Sequence, residues 1–243
     1  MAPWQERTQL LIGNEGLEAL AASRVLVAGL GGVGGAAAEM LARAGVGSLT
    51  LADSDSISES NINRQLPALH STVGRLKTEV AAERLRDISP EIHIDIVGGF
   101  ISEENIESLL SAEYDFVVDA IDTLSPKIAL IQWCLRHNLP LVSSMGAGAK
   151  MDATKVRIAD ISETRMCPLA HMLRKRLHRY GIFDGFQAVY SEEKPLEGAV
   201  VEEQGRNKRS NTGTISYLPT VFGCVCAQTA ICGILRKAEI EPL

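Results

Sequence analysis

Aromatic side chains are scarce, at 5% of 243 residues, while Ala, Val, Ile, Leu and Gly are plentiful. That balance favours an α/β core over an all-β one. Cysteine is sparse and odd in number, at Cys134, Cys167, Cys224, Cys226 and Cys232. Neither a disulfide framework nor a paired C-x-x-C zinc pattern can be drawn from it. Positive charge is in deficit, with a net charge of −6. This argues against a protein that coats nucleic acid over its whole surface, but leaves room for a local basic patch. The opening segment Met1–Arg7 has no apolar signal core, so the expected location is cytoplasmic. The longest apolar run, 217–235, contains Pro219, Gln228 and Thr229 and ends at Arg236-Lys237. It reads as a buried C-terminal helix without stable membrane insertion; a membrane-contacting helix is the lesser alternative.

What is present alternates. A helix over 15–23 precedes the apolar strand 24–28; a helix over 36–43, stopped by Gly45, precedes the strand 49–52, which closes on Asp53. Helices over 78–85, 103–110 and 128–136 then alternate with strands over 92–97, 116–118 and 139–142. This is the pattern of a Rossmann-like, mainly parallel sheet with helices on both faces. Near Lys150 the pattern changes to a strand over 156–159, a basic helix over 168–179 and a strand over 187–190. A polar stretch over 192–211 is expected to be a mobile loop, followed by the final helix. Residues 1–150 thus form the Rossmann-like, nucleotide-binding region. Residues 151–243 form a smaller α+β extension on the same sheet, the two making one composite domain.

The run Gly29-Leu30-Gly31-Gly32-Val33-Gly34 follows a strand and opens a helix. Glycines there allow a tight turn and let backbone N–H groups approach phosphate oxygens, aided by the positive end of the helix dipole. Asp53 stands nineteen residues beyond Gly34, where an acid can bind ribose hydroxyls. The loop alone fits NAD or ATP equally; glycines that serve only close helix–strand packing are the third reading.

Downstream residues separate these readings. After Asp53 come Asp55, then Asn61-Ile62-Asn63-Arg64-Gln65, then Val73-Gly74-Arg75-Leu76-Lys77, then Asp119-Ala120-Ile121-Asp122. This order resembles the ubiquitin-activating-enzyme-like superfamily (ThiF, MoeB and HesA), which uses ATP to adenylate carboxylates. The resemblance implies that Gly29, Gly31, Gly32, Gly34 and Asp53 hold ATP, with Asp53 on the ribose. It places Asp55 among the ATP-binding residues, Asn61 and Arg64 on the phosphates, Lys77 at the β/γ end and Asp122 on Mg²⁺; capping or supporting the loop is the plain alternative for Asp55. Hard oxygen ligands suit Mg²⁺, and triphosphate charge must be neutralised during in-line attack. Taken singly, Lys77 reads as a solvated side chain, Asp122 as a helix N-cap and Arg64 as a surface partner of an acid. The resemblance also implies a homodimer in which Arg7, within Glu6–Gly13, reaches the neighbouring ATP site. A surface arginine is the plain alternative.

Several stretches narrow the resemblance. Arg7–Gly13, Asn61–Gln65, Ser144-Met145-Gly146-Ala147-Gly148 and Val189-Tyr190-Ser191-Glu192-Glu193 together resemble the tRNA threonylcarbamoyladenosine dehydratases. The implied reaction adenylates the threonyl carboxylate of the modified adenosine at position 37 of tRNA, then closes a ring with release of AMP. The implied catalytic set is Arg64, Lys77, Asp122 and Arg7. Arg174-Lys175-Arg176-Leu177-His178-Arg179 and Arg206-Asn207-Lys208-Arg209 are the basic segments for tRNA phosphates. Lys150 is either substrate-facing or solvated. Cys134, Cys224, Cys226 and Cys232 read as small core residues, and Cys167, before Pro168, as structural, with a reactive thiol as the lesser alternative. The runner-up is an adenylyltransferase for a ubiquitin-like sulfur-carrier protein, which leaves room for a sulfur-transfer partner. An NAD-dependent oxidoreductase would leave Arg64, Lys77 and Asp122 unexplained, and an inactive scaffold would be expected to have lost ATP residues.

Overall fold

The computed structural model describes residues 2–202 and 210–240. Seven strands form one sheet: β1 (Arg24–Ala28), β2 (Ser48–Ala52), β3 (His93–Val97), β4 (Phe116–Asp119), β5 (Leu141–Ser144), β6 (Val156–Asp160) and β7 (Gln187–Ser191). Their order is β3-β2-β1-β4-β5-β7-β6, parallel except for β6, which runs antiparallel to β7. The order reverses between β1 and β4. Such a switch point opens a crevice at the carboxyl ends of the strands, where ligands bind in open α/β sheets.

The inner strands β1, β2 and β4 are largely apolar and buried because both faces are covered, whereas the edge strands β3 and β6 carry charged residues and are partly exposed. Val25 and Val27 of β1 join the core under α1 (Glu6–Ala22), α2 (Gly32–Ala44), α3 (Lys77–Ile88) and α7 (Tyr217–Lys237). The alternate residues Leu26 and Ala28 join the core under α4 (Ile106–Leu110), α5 (Leu124–Arg136) and α6 (Pro168–Leu177). This is the period-two division expected of a strand.

The helix α7 has the length and composition to cross a membrane, yet it is largely buried. Its Gly223 lies where a Cβ would be 2.4 Å from the Val33 carbonyl oxygen, so α2 and α7 touch backbone to backbone. α1 is broken at Gly13, whose φ of +72° and ψ of −178° are not helical, so a separate helical stretch from Glu6 precedes the helix that the sequence shows from residue 15.

The stretch over 192–211, expected to be a loop, contains a strand pair among its described residues. Val200–Glu202 (β8) pairs antiparallel with Ser210–Thr212 (β9). The Leu196 N–H donates to the Ala149 carbonyl at 2.8 Å, and Glu193 accepts from the backbone N–H groups of Met151 and Asp152. Backbone pairing and an acid on two amides hold these residues, and neither leaves a hydrophobic period in the sequence. The basic cluster 206–209 lies outside the described residues.

Candidate active site

The loop between β1 and α2 is built by close approach. Gly29 has φ +87°, and a Cβ there would lie 2.8 Å from the Ala120 carbonyl oxygen. A Cβ on Gly34 would lie 1.7 Å from the Gly29 carbonyl oxygen. Only glycine fits these two positions, so the loop turns tightly and points the α2 N-terminus at the switch point. Gly31 and Gly32 continue it, with Gln65, the Arg64 carbonyl and Pro219 packed near them.

Asp53 follows β2 and is tied to this loop. Its Oδ2 accepts from the Leu30 N–H at 2.6 Å, and its Oδ1 accepts from the Asp55 N–H at 2.8 Å. The Lys77 ammonium, at the start of α3, is buried and donates to Asp55 Oδ2 at 2.7 Å, with Asp53 Oδ2 at 3.8 Å. Lys77 is therefore not a solvated surface lysine. It is a charge held near the glycine loop by two carboxylates.

The segment 58–65 covers the loop from the other side. Asn61 Oδ1 accepts from the Ser58 N–H at 3.1 Å, capping a short 3-10 turn. The half-buried Arg64 donates from its guanidinium to the Ser60 carbonyl and to Asn63 Oδ1, each at 2.8 Å. Asn63 donates in turn to the Thr214 carbonyl at 2.9 Å, joining this segment to the approach to α7.

Asp122 is exposed just beyond β4. The N-cap position of α5 belongs to Thr123, so Asp122 does not cap that helix. A single carboxylate completed by phosphate oxygens and water is a normal Mg²⁺ site. An exposed carboxylate just past the strand that neighbours the glycine loop's strand fits that group, and no cluster of three or more metal-binding side chains occurs among the described residues.

The ThiF family model matches residues 5–242. The chain is 44% identical to the tRNA threonylcarbamoyladenosine dehydratase of Escherichia coli (strain K12), over 97% of this chain and 96% of that one. It is 40% identical to the enzyme of the same name from Bacillus subtilis (strain 168), with the same coverage. The chain belongs to the ThiF family, among its tRNA threonylcarbamoyladenosine dehydratases. It also superposes on the crystal structure of the E. coli dehydratase in complex with ATP, with a TM-score of 0.90, 36% identity and 98% of each chain covered. The Rossmann-like α/β architecture is thus that of this dehydratase family.

Not every residue singled out in the sequence meets this cluster. Arg7 is exposed on α1, and no hydrogen bond or ion pair among the described residues joins it to the glycine loop. Arg174 turns inward, donating to the Thr164 carbonyl at 2.8 Å and to the Thr164 hydroxyl. Lys175, Arg176, His178 and Arg179 stay exposed. Lys150 is buried and donates to the Gly146 carbonyl at 2.7 Å; burial lowers its pKa, against the opposing pull of Cys167 and Glu193.

Among the cysteines, Cys134, Cys167 and Cys226 are buried as read, whereas Cys224 is exposed on α7. Burial pushes the Cys134 thiol up to about 12, with the Asp119 charge adding to it. Burial pushes Cys226 to about 12 as well. Neither is a thiolate at neutral pH.

Sequence reasoning missed a polar knot beneath Asp122. Asp119, Lys127 and Ser143 are all fully buried. Asp119 belongs to the D-x-x-D run, which was a visible signal. Lys127 gave none, because a lysine in an apolar helix looks the same buried or exposed. Gln65 is buried too, with its Oε1 unpartnered beside the glycine loop.

Proposed function

We propose that this chain is an ATP-dependent dehydratase of N6-threonylcarbamoyladenosine at position 37 of tRNA, acting by adenylation of the threonyl carboxylate. The observation that carries the reading is the site itself. The glycine loop, the Asp53–Lys77 network and Asp122 gather at one switch point, in a chain aligning nearly end to end with dehydratases of that name. A carboxylate oxygen of the substrate attacks the α-phosphorus of ATP and pyrophosphate departs. An atom within the threonylcarbamoyl group then attacks the activated acyl carbon, and AMP leaves carrying that oxygen. The nucleoside loses the elements of one water. No enzyme nucleophile is needed, consistent with the buried, protonated thiols of Cys134 and Cys226.

The residues divide the work. Gly29, Gly31, Gly32 and Gly34 admit the phosphates to backbone N–H groups, and Asp53 holds the ribose. Asn61 and Arg64 contact phosphates, Lys77 moves from Asp55 to the β/γ end, and Asp122 holds Mg²⁺. The ion would neutralise charge on the departing pyrophosphate. The exposed Trp4, Leu10 and Leu11 beside Arg7 support a homodimer in which Arg7 reaches the partner's ATP site. The exposed Lys175, Arg176 and Arg179 support α6 and the turn after it as the tRNA-facing surface. The enzyme works in the cytoplasm, where its substrate tRNA is found, with α7 serving as a core helix.

AMP release tests the reading. It should require tRNA bearing the threonylcarbamoyl group and should fail with unmodified tRNA. AMP release driven instead by a small carrier protein ending in Gly-Gly would overturn it.

A further inference from the structure

The Asp119–Lys127 pair is an expensive feature to keep. Both side chains are fully buried, and Lys127 is among the largest fully buried side chains of the molecule. Lys127 Nζ donates to Asp119 Oδ2 at 2.7 Å, and Ser143 Oγ donates to the same oxygen at 2.6 Å. Replacing such a buried pair with apolar groups of similar size is commonly neutral or stabilising, so stability alone does not account for it. Its placement gives another reason.

Asp119 ends β4, and Lys127 lies in the first turns of α5. The ion pair therefore closes a staple across the connection Ala120-Ile121-Asp122-Thr123. The other oxygen of the same carboxylate, Asp119 Oδ1, accepts from the Ile121 N–H at 3.1 Å, inside that connection. The Ala120 N–H donates to the Ala28 carbonyl at 2.8 Å, and the Ala120 carbonyl lies against Gly29. The residue before Asp122 is thus fixed by Asp119, and the residue before that is fixed against the glycine loop.

We propose that Asp119, Lys127 and Ser143 form a positioning clamp that sets the Asp122 carboxylate at a fixed offset from the glycine loop. The clamp touches neither nucleotide nor substrate. It acts by denying the Ala120–Thr123 connection other shapes, so the carboxylate and the phosphate cradle are held in register before ATP arrives. This rests on the reading of Asp122 as the Mg²⁺ ligand.

The test uses the full chain with Asp119→Leu and Lys127→Met combined, which leaves no buried charge unpaired. Two readouts do not depend on turnover. One is binding of α,β-methylene-ATP by calorimetry with and without Mg²⁺; the other is amide hydrogen exchange over 120–123. The clamp predicts wild-type affinity without Mg²⁺, a roughly 10–100-fold loss of the gain that Mg²⁺ brings, and faster exchange over 120–123. A folded double variant with a wild-type Mg²⁺ response and wild-type exchange overturns it. If the double variant does not fold, Ser143→Ala takes its place. It should shift both readouts the same way by less, and no shift in either overturns the clamp. Asp122→Ala is measured alongside. If it keeps the Mg²⁺ response, the metal role falls and the clamp with it. If it loses the response while the double variant keeps it, the clamp alone falls.

Discussion

Lys77 shows how one side chain is prepared for a charged ligand. Its ammonium is buried between Asp55 and Asp53, which balance its charge, and on the proposed reading a triphosphate would replace one of them. Lys77→Met should leave two acids facing the phosphates without a counter-charge. A loss of roughly 10²–10³ in kcat/KM is expected, by analogy with removal of one preorganised transition-state contact. Steady-state AMP release checks this, and a loss under tenfold would take Lys77 off the phosphates. The motif residues were legible in the sequence because their chemistry recurs at fixed spacing. Lys127 and Ser143 were not, since their role lies in burial and in an acid eight and twenty-four residues away.

Among elements, the packing of α2 on α7 binds the glycine loop's helix to the C-terminal helix. A Cβ at Gly223 would meet Val33, Ala36 and Ala37 within 3 Å. Gly223→Ala should cost about 1–3 kcal/mol of stability and lower Tm by several degrees, as read by calorimetry. An unchanged Tm would show that the helices separate freely. The join between α2 and α3 has a pH signature. Burial pushes the Glu39 carboxyl up, but bonds from Arg84 and Arg43 outweigh it and hold the pKa below the ordinary 4.5. A depressed carboxylate contributes stability above its unfolded pKa and loses it as pH falls through the folded one. Glu39→Gln should therefore be less stable than wild type at neutral pH, with the gap narrowing below pH 4.5. A gap independent of pH in denaturant melts would contradict this. The alternating strands and helices were plain in the sequence because burial on both faces leaves continuous apolar runs. The β8–β9 pairing was not, because it is made by backbone groups within a polar stretch.

At the scale of the whole molecule, two exposed surfaces carry the proposed partner contacts. If Arg7 serves the partner's ATP, then Arg7→Ala and Asp122→Ala proteins should each be impaired, and mixing them should restore part of the activity. No restoration after subunit exchange would assign a site complete within one chain. If α6 faces tRNA, Arg176→Glu with Arg179→Glu should weaken tRNA binding and flatten its salt dependence by roughly one unit of slope for each phosphate no longer held. ATP affinity should be unchanged, and equal tRNA binding would move the RNA elsewhere.

The central claim is that the substrate's own carboxylate is the group that attacks ATP. It is tested most directly with tRNA whose threonylcarbamoyl carboxylate carries oxygen-18. Adenylation followed by ring closure places one labelled oxygen in the phosphate of the released AMP. Unlabelled AMP, with the nucleoside still losing water, would contradict the account.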